Sequence, residues 1–133
     1  MKRVVVNGTF DIIHTGHIVL LNYAKSLGDY LLVCIDTDCR VRSLKGNSRP
    51  INSQEDRVLL LQNLKAVDKV LLFDTDQDLE NIFKEYAPDI MVKGGDYRNR
   101  PYVGQQYCKN TVYHDRIEPY STTSAIQLAA SRG

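Results

Sequence analysis

The chain has 133 residues, enough for one domain with one sheet-based core. Its hydrophobic share of 43% and charged share of 25% are those of an ordinary globular protein, and its apolar runs are too short to span a bilayer. Lys plus Arg number 17 and Asp plus Glu 16, so no bulk field draws nucleic acid or a membrane surface, and any anion binding must come from local placement.

The first apolar run, "RVVVN" at 3–7, reads as a strand, and residues 1–7 lack the pattern of a signal peptide. Over 16–27, Leu20, Leu21, Ala24 and Leu27 share one side of a predicted helix, with Ile18 at its margin and Gly28 as its stop. "YLLVCID" at 30–36 is the second strand; within it Cys34 serves as a small hydrophobe. Residues 37–52, with "KGNSRP", read as a mobile loop. Ser53 followed three residues on by Asp56 marks a capped helix start over "SQEDRVLLLQNL". "KVLLFD" at 69–74 is a third strand, and "QDLENIFKEY" at 77–86 a helix ending before Pro88. "DIMVKG" at 89–94 and the shorter "TVYH" at 111–114 complete five strands, and "STTSAIQLAA" carries an N-cap signature near the C-terminus. Cys34, Cys39 and Cys108 are odd in number and have no metal-ligand spacing, which points to a reduced, cytoplasmic protein.

Near-continuous Val, Ile and Leu without strict alternation suits strands covered on both faces. Strand followed by helix, repeated, predicts a single α/β domain over 1–133: a Rossmann-like five-stranded parallel sheet with helices on both faces. Ligands of such sheets bind beyond the C-terminal strand ends, where the strand order reverses. Four polar clusters fall there, at 8–17, 36–49, 93–100 and 116–123.

The first is "GTFDIIHTGH". Gly8 allows a tight turn or a close approach by a ligand, and Gly16 bares the start of the first helix, where backbone N–H groups favour phosphate. His14 and His17 flank that spot as hydrogen-bond donors to phosphate oxygens; the alternative is one imidazole capping the helix and the other in solvent. Zinc is a weaker alternative, because no third ligand lies at useful spacing. Elsewhere, Lys45 reads as a loop charge and Ser121, Thr122 and Thr123 as a helix cap, while Arg49 and Arg57 either meet an acceptor phosphate or sit in solvent. Asp96 and Tyr97, after Gly94 and Gly95, either bind acceptor hydroxyls or form an ordinary turn. His114 has no sequence partner and reads as structural.

"GTFDIIHTGH" closely resembles the HxGH signature of the cytidylyltransferase-like nucleotidyltransferases, and "RIEPYSTTSAI" resembles the closing RTxGISTT element of that family. "LKGNSRPIN" and "VKGGDY" are most similar to the adenylyltransferase domain that makes ADP-heptose; Arg116 is more similar to the glycerol-3-phosphate cytidylyltransferase pattern. The resemblance implies that His14 and His17 hold the triphosphate and the charge at the α-phosphorus. It implies that Thr9 and Phe10 line the nucleotide and that Asp11 orients the turn or helps place a metal. Lys45 would close over the phosphates from its loop, with Arg116, Ser121, Thr122 and Thr123 completing the cradle. It further implies ATP or CTP with Mg²⁺, a sugar or polyol phosphate acceptor and a homodimer. A nucleotide-binding module of the same fold without catalysis is the alternative.

Overall fold

The computed structural model describes residues 1–95 and 98–115. Five strands pair in parallel in the order β3-β2-β1-β4-β5: β1 (Arg3–Gly8), β2 (Tyr30–Asp36), β3 (Lys69–Phe73), β4 (Ile90–Gly94) and β5 (Asn110–His114). The chain therefore builds β1, β2 and β3 outward on one side, then returns to lay β4 on the other side of β1. The order reverses between β1 and β4, and the crevice there opens at their C-terminal ends.

Strand registers set the two faces. Val4 lies opposite both Leu31 of β2 and Ile90 of β4, and Val5 opposite Leu32 and Met91, so alternate residues of three central strands point the same way. One face carries Val4, Val6, Leu31, Val33, Ile35 and Val92 against Leu21 and Ala24 of α1 (Thr15–Ser26) and Leu61 of α3 (Gln54–Gln62). The other carries Val5, Leu32, Cys34 and Met91 against Leu79 and Phe83 of α4 (Asp76–Tyr86). Burial on both sides explains why these strands read as unbroken apolar runs.

Local signals place the helices. Ser53 Oγ accepts from the Asp56 amide at 3.2 Å, as the sequence predicts. Thr75 and Asp78 form a capping box at the start of α4, and Ala87 ends that helix in a left-handed conformation at φ 51°, since the following Pro88 disfavours the right-handed one. Leu20 and Leu27 join Leu21 and Ala24 on the inner side of α1, while Ile18 stays at the exposed margin. Gly28 has a different reason from the one predicted. α1 is already capped at Leu27, and a Cβ at position 28 would come within 2.6 Å of Val4 Cγ2 and 2.8 Å of the Lys2 carbonyl. Glycine is there to let the chain pass over the start of β1.

The expected loop at 37–52 is in part a helix, α2 (Asp38–Lys45). Thr37 caps it by accepting from the Arg40 amide at 3.2 Å, Asp38 sits in its first turn, Arg42 and Lys45 in its last, and Gly46 follows at φ 98°. Only Val41 is buried on this helix, so no apolar stripe advertises it. The β4–β5 connection includes a 3-10 turn, Gln105–Tyr107. The predicted C-terminal helix lies outside them.

Candidate functional site

The turn between β1 and α1 stands over the crevice. Phe10 adopts φ 52° and buries its ring, which packs on Gly8; a Cβ there would lie 3.1 Å from Phe10 Cε2. A side chain at position 8 would push the Phe10 ring aside by a few tenths of an ångström. The buried Phe10 ring supports the turn and lies 5.0 Å from the His17 ring.

His14 is the N-cap of α1: its Nδ1 accepts from the Gly16 amide at 3.1 Å. His17 completes a capping box, its Nδ1 accepting from the His14 amide at 3.2 Å. The rings stack with centroids 3.9 Å apart. With both Nδ1 atoms accepting, the hydrogen-bond pattern assigns the ring proton of each neutral imidazole to Nε2. Both histidines cap the helix, in place of one cap and one solvated ring, and both stand at its positive end. One expectation is corrected: the Gly16 N–H is held by His14 and is not an open phosphate donor.

Lys45 reaches this turn, as its Nζ donates to Thr9 Oγ1 at 3.3 Å. It does so from the last turn of α2, not from a loop. A helix end fixes where the lysine stem begins, while the ammonium stays exposed.

Asp11 is buried, and its carboxylate is spent on the chain. It accepts from the Ile51 and Asn52 amides, each at 2.9 Å, and pairs with Arg49 Nη1 at 3.4 Å; Asn52 Nδ2 donates back to the Asp11 carbonyl at 2.6 Å. Of the two implied roles, orienting the turn matches this arrangement, and placing a metal does not. Arg49 is correspondingly committed to Asp11.

Arg57 is 0% exposed, so it meets neither solvent nor an acceptor phosphate. It donates to the carbonyls of Asn52 (3.1 Å), Thr9 (3.0 Å) and Asp36 (2.8 Å), and to Asp38 Oδ1 (2.8 Å). A single guanidinium thereby joins the histidine turn, the end of β2, the start of α2 and the 49–52 loop. Four partners in four directions use the guanidinium fork in a way an ammonium could not.

Sequence reading missed Asn7 and Lys93. They lie near the ends of the two strands flanking the crevice, with Lys93 Nζ donating to Asn7 Oδ1 at 3.4 Å and standing 5.0 Å from the Tyr102 ring centroid. Burial lowers the Lys93 pKa, against an opposing contribution from Asp36. The available signal was a charge at the end of an otherwise apolar strand. Asp36, also buried, pairs with Arg40 at 3.2 Å, and Arg40 reaches Asp76 of α4 at 2.8 Å.

His114 packs its ring 5.0 Å from Tyr23 of α1, which accords with the structural role expected. Asp96, Tyr97, Arg116, Ser121, Thr122 and Thr123 lie outside the described residues. Among the described residues no three His, Cys, Asp or Glu side chains converge to hold a metal, and no helix is long and apolar enough to cross a membrane.

A family model described as cytidylyltransferase-like matches residues 5–127. The chain is 46% identical over 126 residues to bifunctional protein HldE of Helicobacter hepaticus, covering 95% of this chain and 26% of that protein. It is likewise 46% identical to bifunctional protein HldE of Nitratiruptor sp., covering 98% of this chain and 28% of that one. It thus spans about a quarter of the length of these relatives. Among solved structures, the lipopolysaccharide core biosynthesis protein of Thermoplasma volcanium superposes with a TM-score of 0.72 at 30% identity, covering 89% of this chain and 99% of that one. Pantothenate synthetase of Thermus thermophilus, at 15% identity and a TM-score of 0.59 over 88% of this chain and 56% of that one, shares the fold. With a match running from the first strand to the C-terminal segment, and stacked histidines at the first helix start, the chain belongs to the cytidylyltransferase-like family.

Proposed function

We propose that this chain is a nucleotidyltransferase that moves a nucleoside monophosphate from a triphosphate to a sugar or polyol phosphate and releases pyrophosphate. The first assignment is adenylyl transfer to a heptose-1-phosphate-like acceptor, following the similarity of "LKGNSRPIN" and "VKGGDY". Cytidylyl transfer to glycerol 3-phosphate is the runner-up, following Arg116. The observation that carries the reading is the stacked His14–His17 pair at the positive end of α1, over the strand-order reversal, with Lys45 brought to Thr9.

The chemistry needs little from the protein beyond placement and charge. An acceptor phosphate oxygen attacks the α-phosphorus in line; a new P–O bond forms as the bond to the β-phosphate bridge breaks, and pyrophosphate leaves. The nucleophile is already anionic at neutral pH, so no general base is required. His14 and His17 would donate through Nε2 to the oxygens on which charge accumulates, and Lys45 would neutralise the leaving phosphates. Capping locks both rings before substrate arrives, so no reorganisation is spent at the reaction step. Arg116, Ser121, Thr122 and Thr123 would close the cradle, and Asp96 and Tyr97 would face the acceptor. Arg57 and Asp11 act as positioning residues, holding the turn that carries Thr9 and Phe10.

Mg²⁺, as family members use it, would arrive on the triphosphate and add charge neutralisation there. Such a cation takes substrate phosphates and water as its main ligands. The remaining expectations, a cytoplasmic setting and a homodimer, rest on cysteine usage and on family resemblance; sedimentation measures the dimer directly.

Pyrophosphate release, measured with ATP and CTP against a panel of sugar and polyol phosphates, tests the reading. Turnover with one pair names donor and acceptor. Nucleotide binding without turnover, surviving His14→Ala and His17→Ala, would instead identify a nucleotide-binding module.

A further inference from the structure

α2 brings Lys45 to the histidine turn, yet little packing holds this helix. Val41 is its only buried residue, and Leu44, next to Lys45, is left 65% exposed. Polar contacts at the opposite end hold it instead. Arg40 sits in the first turn of α2 and spreads its guanidinium over three elements. Nε donates to Asp36 Oδ2 at the end of β2 (3.2 Å), Nη1 to the Asp74 carbonyl just beyond β3 (3.3 Å), and Nη2 to Asp76 Oδ1 at the start of α4 (2.8 Å). Its Cζ stands 4.9 Å from the Phe73 ring centroid. Thr37 adds two contacts to the same strand end, its amide donating to the Phe73 carbonyl at 3.1 Å and its hydroxyl to Asp74 Oδ1 at 2.6 Å. The Arg40 and Asp36 side chains are only 19% and 12% exposed, so solvent screens their pairing little.

A second contact comes from α3, where Arg57 holds Asp38. α3 packs on one face of the sheet and α4 on the other, so the start of α2 is pinned from both layers. Either contact alone leaves a pivot; the two together fix an axis. Lys45 lies five residues beyond Arg40. That is about 7 Å along the axis, and a tilt of about 10° at the anchored end would carry the Lys45 backbone about 1 Å from its place. We propose that Arg40 is a positioning residue for Lys45: its fork fixes the angle at which a short, sparsely packed helix delivers the lysine ammonium to Thr9. This rests on the reading above in which Lys45 neutralises the leaving phosphates. Arg40 itself is assigned no contact with substrate.

The test is a double-mutant cycle on the full chain, with pyrophosphate release measured while nucleotide and acceptor are varied in turn. Arg40→Gln should lower kcat/KM for nucleotide about five- to tenfold, because a shift of about 1 Å is costly to a positioned group, and leave KM for the acceptor within about twofold. Asp76→Asn, which removes a single exposed prong, should lower it about two- to threefold. Lys45→Ala should cost about 10²-fold. Added to Lys45→Ala, Arg40→Gln should cost less than about 1.5-fold more, as for two residues acting through one group. A general loosening of the fold would carry through to that background in full, which separates positioning from mere support. An Arg40→Gln rate within about 1.5-fold of wild type, a full loss persisting without Lys45, or an equal rise in acceptor KM would overturn the proposal. Should Arg40→Gln unfold at the assay temperature, the same cycle run with Asp76→Asn decides. If Lys45→Ala is as active as wild type, the proposal falls while the nucleotidyltransferase reading stands. Should wild type release no pyrophosphate with any substrate pair, that reading fails separately and hydrogen exchange judges the anchor. Faster exchange in Arg40→Gln confined to the α2 amides supports it; unchanged or uniformly faster exchange ends it.

Discussion

The Nδ1 atoms of His14 and His17 both face backbone amides of the same helix start, one accepting from Gly16 and the other from His14 itself. The two rings are therefore structural caps and candidate phosphate donors at once, and a substitution can separate these roles. Asparagine at position 14 keeps a side-chain acceptor suited to an N-cap but has no imidazole to offer a developing charge. His14→Asn should melt close to wild type while its pyrophosphate release falls about 10²-fold or more. His14→Ala should lose comparable activity and about 1 kcal/mol of stability as well. Paired melting curves and initial rates distinguish the two variants.

Arg57 should be the most costly single position in the turn assembly. Replacing it with Met roughly keeps the volume but strands three backbone carbonyls and the Asp38 carboxylate. Breaking a buried charge arrangement from one side costs about 3–5 kcal/mol, and urea unfolding of Arg57→Met should register a loss in that range. Arg57→Lys should recover only part of it, since a point charge cannot serve four directions.

Asp11 makes a local prediction. The Ile51 and Asn52 amides point at its carboxylate, so Asp11→Ala should release both to solvent without disturbing the sheet. Hydrogen exchange should show protection lost at 49–52 and retained in β1 and β2. Uniform loss across the sheet would mean that Asp11 supports the whole fold.

Stability should fall in acid for a stated reason. The Arg3 amide, donating at 2.8 Å, and Lys109, pairing at 3.1 Å, hold the Asp89 carboxyl below its ordinary range. A depressed folded pKa contributes stability that is fully present above the unfolded value, about pH 4, and is lost as pH falls through the folded one. Asp68 behaves the same way: partial burial pushes it up, but the Lys25 and Leu31 contacts outweigh this and leave it lowered. Urea midpoints measured from about pH 5 down to pH 2 should drop for wild type and drop less for Asp89→Asn.

The thiols should react in order of burial. Cys34 lies inside β2 with its pKa pushed up to about 12 by burial, whereas Cys39 is exposed and Cys108 half-buried. A disulfide reagent near pH 8 should label Cys39 quickly, Cys108 slowly and Cys34 only on unfolding.

Five strands and three of the four described helices are written in the sequence, because periodicity and caps are local properties: Val4 to Val6, the Ser53 cap and the break before Pro88 need no distant partner to be read. The same holds for the histidine turn, whose strand, glycine and helix start are contiguous. α2 was hidden because it buries one side chain, leaving Thr37 and Gly46 as its only strong punctuation. Tertiary structure alone decided the fates of Asp11 and Arg57. Their partners are 19 to 48 residues away along the chain, apart from Asn52 for Arg57, and whether a charge meets solvent, substrate or backbone depends on which loops fold over it. For the same reason the Lys93–Asn7 contact and the Arg98–Asp115 pair could not be read in advance, although the charge of Lys93 at a strand end could. Parallel strands bring remote positions within a few ångströms, and local spacing does not report that proximity.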